Sequence, residues 1–569
     1  MAEVLLSPGV LQREQDQSQV TQGPVNVGAA IIGPTVKGPV EIPTIVTSYS
    51  DYVNKFGTTF VSGGDVYTYF TSTAAYNYFN NGGDTLLVAR VVSGSYTPAS
   101  STPISSSLGA NVFTLETLSK GNITNSSGSI DASGSLVSGS VDNLRFEIIS
   151  PNTSSGTFGL LIRQGNDNIN NRIILESYTN LSLDPSSPNY ITSIIGDYKY
   201  NYNSTNNQIE LTGSYPNASR YVRVSSVSLN TPNYLDNSGV PKTAYTSSIP
   251  VVQSGSFTGA TGTMETAANN GYYQNINDSN SQGLVASNYN NMVNLLSNRD
   301  DYKFNILLTP GLVDAFPTHT GVVSTVITNT QGRGDNLYVL DLVGANSTTT
   351  AVTGQAATRN SSYAASYWPW CQIKDPASGK NVWVPASTVL AGVYAYNDKV
   401  AYPWFAPAGI NRGGLGNVIR AEQKLSQTTR DTLYQGKVNP IATFPGTGVV
   451  VYGNKTLQTQ ASALDRVNVR RLLISLKNYI GQVANNLVFE QNSVATRNQF
   501  LGQVNPYLET VQQRQGVYAF KVVMDSSNNT ADVIDRNQLV GAIYIQPTKT
   551  AEYIYLNFNI TPTGTTFPA

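Results

Sequence analysis

One interruption constrains this chain more than any other feature. Between residues 96 and 280 the sequence turns to Ser, Gly, Asn and Thr, and the periodicity of packed helices is lost. Short alternating runs replace it, such as Leu144-Arg145-Phe146-Glu147-Ile148 and Tyr221-Val222-Arg223-Val224. Alternation at period two marks strands with one buried face, and the polar stretches between them supply turns. On either side, in 28–95 and 281–549, helix and strand patterns alternate. Such a chain reads as an α/β core, a mixed sheet with flanking helices, in two pieces around a β-rich inserted outer region. The inserted region is expected to face outward, and trimming 201–275 is expected to leave assembly largely intact.

The flanking patterns are specific. Residues 1–27 are polar and punctuated by Pro8-Gly9 and Gly23-Pro24, which suits an extended arm. A strand is expected at 27–32 and a short helix from Ser50 to about Gly57. Val66, Tyr69, Phe70 and Ala74 predict an amphipathic helix, stopped by Asn80-Asn81-Gly82-Gly83 and followed by a strand at 85–92. Helices at 289–296 and 320–330 alternate with strands at 304–308 and 337–340. Val469, Leu472, Leu473, Leu476, Ile480 and Val483 form one apolar stripe, with Arg470, Arg471 and Lys477 off it. A second helix follows through Val494, Leu501 and Leu508, which Pro506 should kink or divide. Beyond Pro547, Ile554, Leu556, Phe558 and Ile560 alternate with Tyr and Asn, a strand with one apolar face in the terminal piece 550–569.

Composition narrows the chemistry. The 569 residues hold 34 Lys+Arg against 35 Asp+Glu, so no global field draws in DNA or an anionic membrane. Only 12% are charged while 40% are hydrophobic, which permits a large core. No apolar run reaches the ~20 residues of a membrane span, and the first residues do not read as a signal peptide. Cys371 is the single cysteine and His319 the single histidine, so neither an intrachain disulfide nor a clustered zinc site is expected. His319, in Pro317-Thr318-His319-Thr320, reads as a surface or turn residue, and no nucleophile elbow accompanies it. Gly448 to Thr456 superficially resembles a phosphate loop, but Asn454 separates Gly453 from Lys455, and the preceding valines prefer a strand. No catalytic, cofactor or metal site is expected, and an enzyme is not indicated.

Several sequence blocks, in one order, resemble contractile-tail sheath proteins, and most closely those of T-even-type myophages. Near the start stand Ser7-Pro8-Gly9-Val10 with Glu14, Gly33-Pro34-Thr35-Val36-Lys37-Gly38-Pro39, and Phe79-Asn80-Asn81-Gly82-Gly83. The middle carries Tyr367-Trp368-Pro369-Trp370 and Ala406-Pro407-Ala408-Gly409-Ile410-Asn411-Arg412-Gly413. Towards the end come Asp465-Arg466-Val467-Asn468-Val469-Arg470-Arg471-Leu472, Phe489-Glu490-Gln491-Asn492 and Tyr544-Ile545-Gln546-Pro547. The likeness covers about 1–95 and 281–569, with a similar piece at 156–200.

The resemblance implies a structural polymer: a six-fold helical sheath around a tail tube that contracts from a metastable extended state and drives the tube through the host envelope. It implies as partners further copies of the chain, the tube protein, baseplate proteins and a terminator or neck protein. It places the chain in the virion tail after assembly in host cytoplasm, with no direct contact to nucleic acid or membrane. Arg470, Arg471 and Lys477 are then expected to face the tube. Residues Ile554, Leu556, Phe558 and Ile560, and the N-terminal arm with Pro8, Gly9, Val10 and Glu14, are expected to link subunits. A headless injection particle, and from another class a baseplate or receptor-binding protein, are the alternatives.

Overall fold

A computed structural model describes residues 26–62, 65–121, 123, 142–165, 167, 171–262 and 276–556. Its centre is an eight-stranded mixed sheet, in the order Thr44–Val46, Leu86–Arg90, Asn26–Gly33, Lys303–Val313, Leu337–Asp341, Ala364–Trp368, Asn439–Phe444 and Gly448–Val451. The six inner strands run parallel, and the two outermost are antiparallel to their neighbours. Ala29 is opposite Leu86 on one side and Ile306 on the other, so residues from both sides of the interruption meet in one strand. The sheet cannot form until the two halves of the core come together.

Both faces of this sheet are covered, which is the usual state of a parallel sheet. Ala29, Ile31, Leu86, Val88, Ile306 and Leu308 point into one hydrophobic cluster, shared with Phe70, Ala74, Leu390 and Tyr394 of two helices, Phe70–Asn80 and Ala386–Val400. Their neighbours Ala30, Ile32, Leu87, Ala89 and Leu307 point the other way, against Val322, Val323 and Val326 of the helix Pro317–Arg333. Successive side chains alternate between the faces because the strand repeat is two residues.

The inserted stretch forms a seven-stranded sheet in the order Ile174–Ser182, Thr157–Gln164, Leu144–Asn152, Gln253–Thr258, Pro98–Ser101, Phe113–Lys120 and Val222–Val227. All its ladders are antiparallel, and it has a hydrophobic core of its own around Phe113, Phe146, Phe158 and Phe257. Gln253–Thr258 sits in the middle and joins Leu144–Asn152 to Pro98–Ser101. Excision of 201–275 would remove the strand that joins the two halves of this sheet.

Three local expectations change. The Val66 spacing does not start a helix: Asp65–Thr68 pairs with Thr59–Ser62, and the helix runs Phe70–Asn80. Val66 and Tyr67 are good strand formers that follow Gly63-Gly64 in sequence, and a hairpin satisfies their backbone locally. Pro506 does not divide its helix, which runs unbroken over Val494–Gln513. Phe500, Val504, Leu508 and Val511 bury on both sides of the proline in one cluster, and that packing outweighs the one lost backbone bond. His319 is not at the surface: it is buried in the first turn of Pro317–Arg333, where its Nδ1 accepts from the Val313 N–H at 3.1 Å.

Candidate assembly surfaces

The helix Val467–Asn485 carries the basic residues singled out by sequence. Its apolar stripe packs with Trp404, Phe500, Val504 and Val517 in a separate C-terminal cluster. Arg470 and Arg471 are not solvated beside this stripe, as the periodicity suggests; both are buried. The Arg471 guanidinium donates to both Asp398 carboxylate oxygens, at 2.8 and 2.6 Å, and lies over the Tyr394 ring at 4.9 Å. Burial opposes its charge, but Asp398 outweighs that and holds Arg471 above the ordinary arginine range. The pair ties this helix to the end of Ala386–Val400, which packs on the central sheet.

Arg470 has a different setting. Its guanidinium stacks over Tyr363 at 3.9 Å and donates to the Ser362 hydroxyl. Burial pulls its pKa down, partly offset by Tyr363. Lys477 approaches the same tyrosine from the surface, with Nζ 3.1 Å from the phenol oxygen. The two cations flank one ring, and Lys477 alone of the three is exposed. Sequence reasoning missed Asp398 and Tyr363, which decide where these side chains lie; both are distant in sequence and carry no local signal.

The C-terminal cluster is completed by a two-stranded hairpin, Val517–Val523 with Ala542–Pro547. Among the described residues it pairs with no third strand, so its outer backbone edges are open to further ladder bonds. Past it, Glu552 accepts from Arg466 at 2.7 and 3.1 Å, fixing the root of the terminal segment to the start of the basic helix. The four residues after that anchor are exposed. Tyr553, Ile554, Tyr555 and Leu556 are 69, 77, 87 and 73% exposed and join no ladder. Over 551–556 the expected strand pairs with nothing among the described residues; Phe558 and Ile560 lie outside the described residues, as do Pro8, Gly9, Val10 and Glu14. Phe489, in the turn between the two long helices, is also fully exposed, with a left-handed backbone at φ 72°.

No described helix is long and apolar enough to cross a membrane. No group of three or more His, Cys, Asp or Glu side chains that could hold a metal occurs among the described residues. Gly448–Val451 is a strand paired with Asn439–Phe444, and the backbone there is committed to a ladder.

Two family models match in tandem: the phage tail sheath protein central domain over residues 258–457 and the phage tail sheath C-terminal domain over 459–561. Together they take in more than half of the sequence. The chain belongs to the phage tail sheath family. Its curated relatives include the tail sheath protein of Vibrio phage KVP40, 45% identical over 193 residues, which is 34% of this chain and 29% of the relative. The tail sheath protein of Enterobacteria phage T4 is 42% identical over the same length and the same shares. These alignments span less than a third of the relatives' own length. In three dimensions, the crystal structure of a sheath tail protein from Listeria innocua superposes with a TM-score of 0.53 over 92% of this chain and 96% of that one, at 10% identity. This supports a shared sheath fold: a mixed sheet with flanking helices and additional sheets.

Proposed function

We infer that this chain is the structural subunit of a contractile tail sheath, polymerising with six-fold helical symmetry around a tail tube. Contraction from a metastable extended state would drive the tube through the host envelope for genome delivery. Energy stored in a kinetically trapped assembly needs no nucleotide site. The partners are further copies of the chain, the tube protein, baseplate proteins and a terminator or neck protein. The place is the virion tail, reached by assembly in host cytoplasm.

One observation carries the reading beyond family membership. An alternating apolar segment is rooted by Glu552 on Arg466, with Ile554 and Leu556 exposed and no ladder partner over 551–556 among the described residues. A strand of this kind gains ladder bonds and a buried face by joining a neighbour's sheet. Each ladder bond gives a net ~0.5–1.5 kcal/mol and each buried Leu or Ile roughly 1.5–3 kcal/mol, enough to hold two subunits while their bodies rotate. The N-terminal arm with Pro8, Gly9, Val10 and Glu14 is proposed to link subunits in the same manner.

Arg470 and Arg471 are bound to partners inside the subunit, so Lys477 is the member of the basic trio best placed to meet the tube. Negative-stain microscopy tests the whole scheme. The full chain should form hollow tubes or sheath-like polymers, and a chain lacking 550–569 should remain folded and monomeric. Polymers formed equally well by the truncated chain would sink the linkage model, and the absence of polymers from the full chain would sink the sheath reading.

A further inference from the structure

A cleft of about 1060 Å³ separates the inserted sheet from the core. One wall is the core loop after Asn26–Gly33 and the helix Tyr49–Phe56; the other is the end of Phe113–Lys120 with the start of Val222–Val227. Interfaces between domains are where small-molecule sites concentrate, and this volume is of the size such sites have. The floor is tightly built. Arg90, fully buried, donates to the carbonyls of Gly38 and Lys120 at 2.6 and 3.0 Å, and the Gly38 N–H donates to the Ser119 hydroxyl at 2.8 Å.

The charge on its walls does not balance. Three carboxylates line the cleft, and each already has a cation: Asp142 with Lys37, Asp51 with Lys55, and Glu116 with Arg223. Three further cations line it as well, Lys120, Lys199 and Arg220, and none makes an ion pair among the described residues. Glu41 and Glu116 favour the charge of Lys120 without pairing with it, and the Glu41 carboxylate accepts from the Asn291 amide at 2.6 Å. Burial draws the Lys120 ammonium below its ordinary range, and the charges of Lys199 and Arg90 press in the same direction. Like charges held together in a half-buried cleft are an energetic cost that a multiply charged anion would relieve.

We propose that this cleft is a binding site for a small soluble polyvalent oxyanion of the polyphosphate type, held by Lys120, Lys199 and Arg220 across the junction of inserted region and core. Tyr198 and Leu118 give the site apolar walls, so the bound anion would be partly shielded from water and its charge-assisted hydrogen bonds strengthened. Because Lys120 ends the strand Phe113–Lys120, Arg220 stands just before Val222–Val227, Lys199 begins the separate strand Lys199–Asn203, and the opposite wall comes from the core, occupancy would also brace the inserted region against the core.

The probe is inorganic tripolyphosphate, titrated calorimetrically into the full-length chain at fixed ionic strength. The wild type should bind with about one site per chain. The variant Lys120→Gln/Lys199→Gln should bind about tenfold or more weakly, while Lys424→Gln, an exposed lysine outside the cleft, should bind as the wild type does. A second measurement needs no variant. Acetylation of Lys120 and Lys199 by acetic anhydride, read by mass spectrometry, should slow when tripolyphosphate is present, relative to Lys424. No binding by the wild type, an unchanged affinity in the double variant, or equal slowing at all three lysines would each overturn the proposal.

Discussion

Arg471 is buried, and Asp398, its only counter-ion among the described residues, is 32% exposed. Removing the carboxylate strands the guanidinium. We expect Asp398→Ala to destabilise the folded chain by about 3 kcal/mol, near the low end of the ~3–5 kcal/mol for breaking a buried pair, because water reaches Asp398. Urea unfolding followed by tryptophan fluorescence measures it; a change under about 0.5 kcal/mol would mean that the pair is dispensable. Charge reversal at Arg470 and Arg471 would therefore damage the subunit itself and cannot report on a partner. Lys477→Glu is the informative change. It should leave the unfolding midpoint within error and reduce co-sedimentation with the proposed tube partner, and unaltered co-sedimentation at moderate salt would remove Lys477 from the proposed contact.

Asp341 offers a pH test at the same scale. It ends the strand Leu337–Asp341, is fully buried, and accepts from the Ser387 N–H and hydroxyl at 3.1 and 2.6 Å. Burial pushes its carboxyl from 3.8 up to about 7, although the Ser387 bonds at the start of a helix oppose the rise. Between those two values the unfolded chain has lost the proton and the folded chain keeps it. This contribution to stability is therefore complete below about pH 4 and is lost as pH rises through about 7. The stability of Asp341→Asn relative to wild type should grow from pH 4 to pH 7, and a constant difference across that window would show that the carboxyl titrates normally.

At the scale of elements, the hairpin Lys199–Asn203 with Gln208–Thr212 acts as a strap. It belongs to neither large sheet. Tyr200, Tyr202, Ile209 and Leu211 share one face, since Tyr202 is opposite Ile209 and Tyr200 is opposite Leu211. Tyr202 and Ile209 pack against the core cluster together with Ile45. Tyr202→Ala with Ile209→Ala should free the strap at a cost of about 2–4 kcal/mol for two half-buried side chains. Amide exchange across 199–212 should then quicken, while exchange in Leu337–Asp341 stays slow. Unchanged protection of the hairpin would show that its own ladder, and not its seat on the core, holds it.

At the scale of the whole molecule, the inserted sheet and the central sheet have separate hydrophobic clusters. Domains with separate cores tend to unfold in separate steps. Calorimetry of the full chain should resolve at least two transitions. Arg90 bridges the units by donating to both Gly38 and Lys120, so Arg90→Met should spread the transitions further apart. A single transition in both proteins would mean that the junction is strong enough to make one cooperative unit.

Local pattern fixed much of this molecule because the periodicities of strand and helix are properties of neighbouring residues. The run Ala29-Ala30-Ile31-Ile32 had to be a doubly buried strand, Gly57 had to end the short helix from Tyr49, and the stripe from Val469 to Val483 had to be helical. Sequence could not say that Asn26–Gly33 lies between strands from opposite sides of the insertion, or that Gln253–Thr258 joins the halves of the outer sheet. Nor could it place Arg470 and Arg471 inside, because a helical wheel shows which side a residue takes but not what covers it. Tyr363 and Asp398 cover them, at separations of 107 and 73 residues. Contacts that distant are made only after the sheet has closed, and there the tertiary structure alone decided.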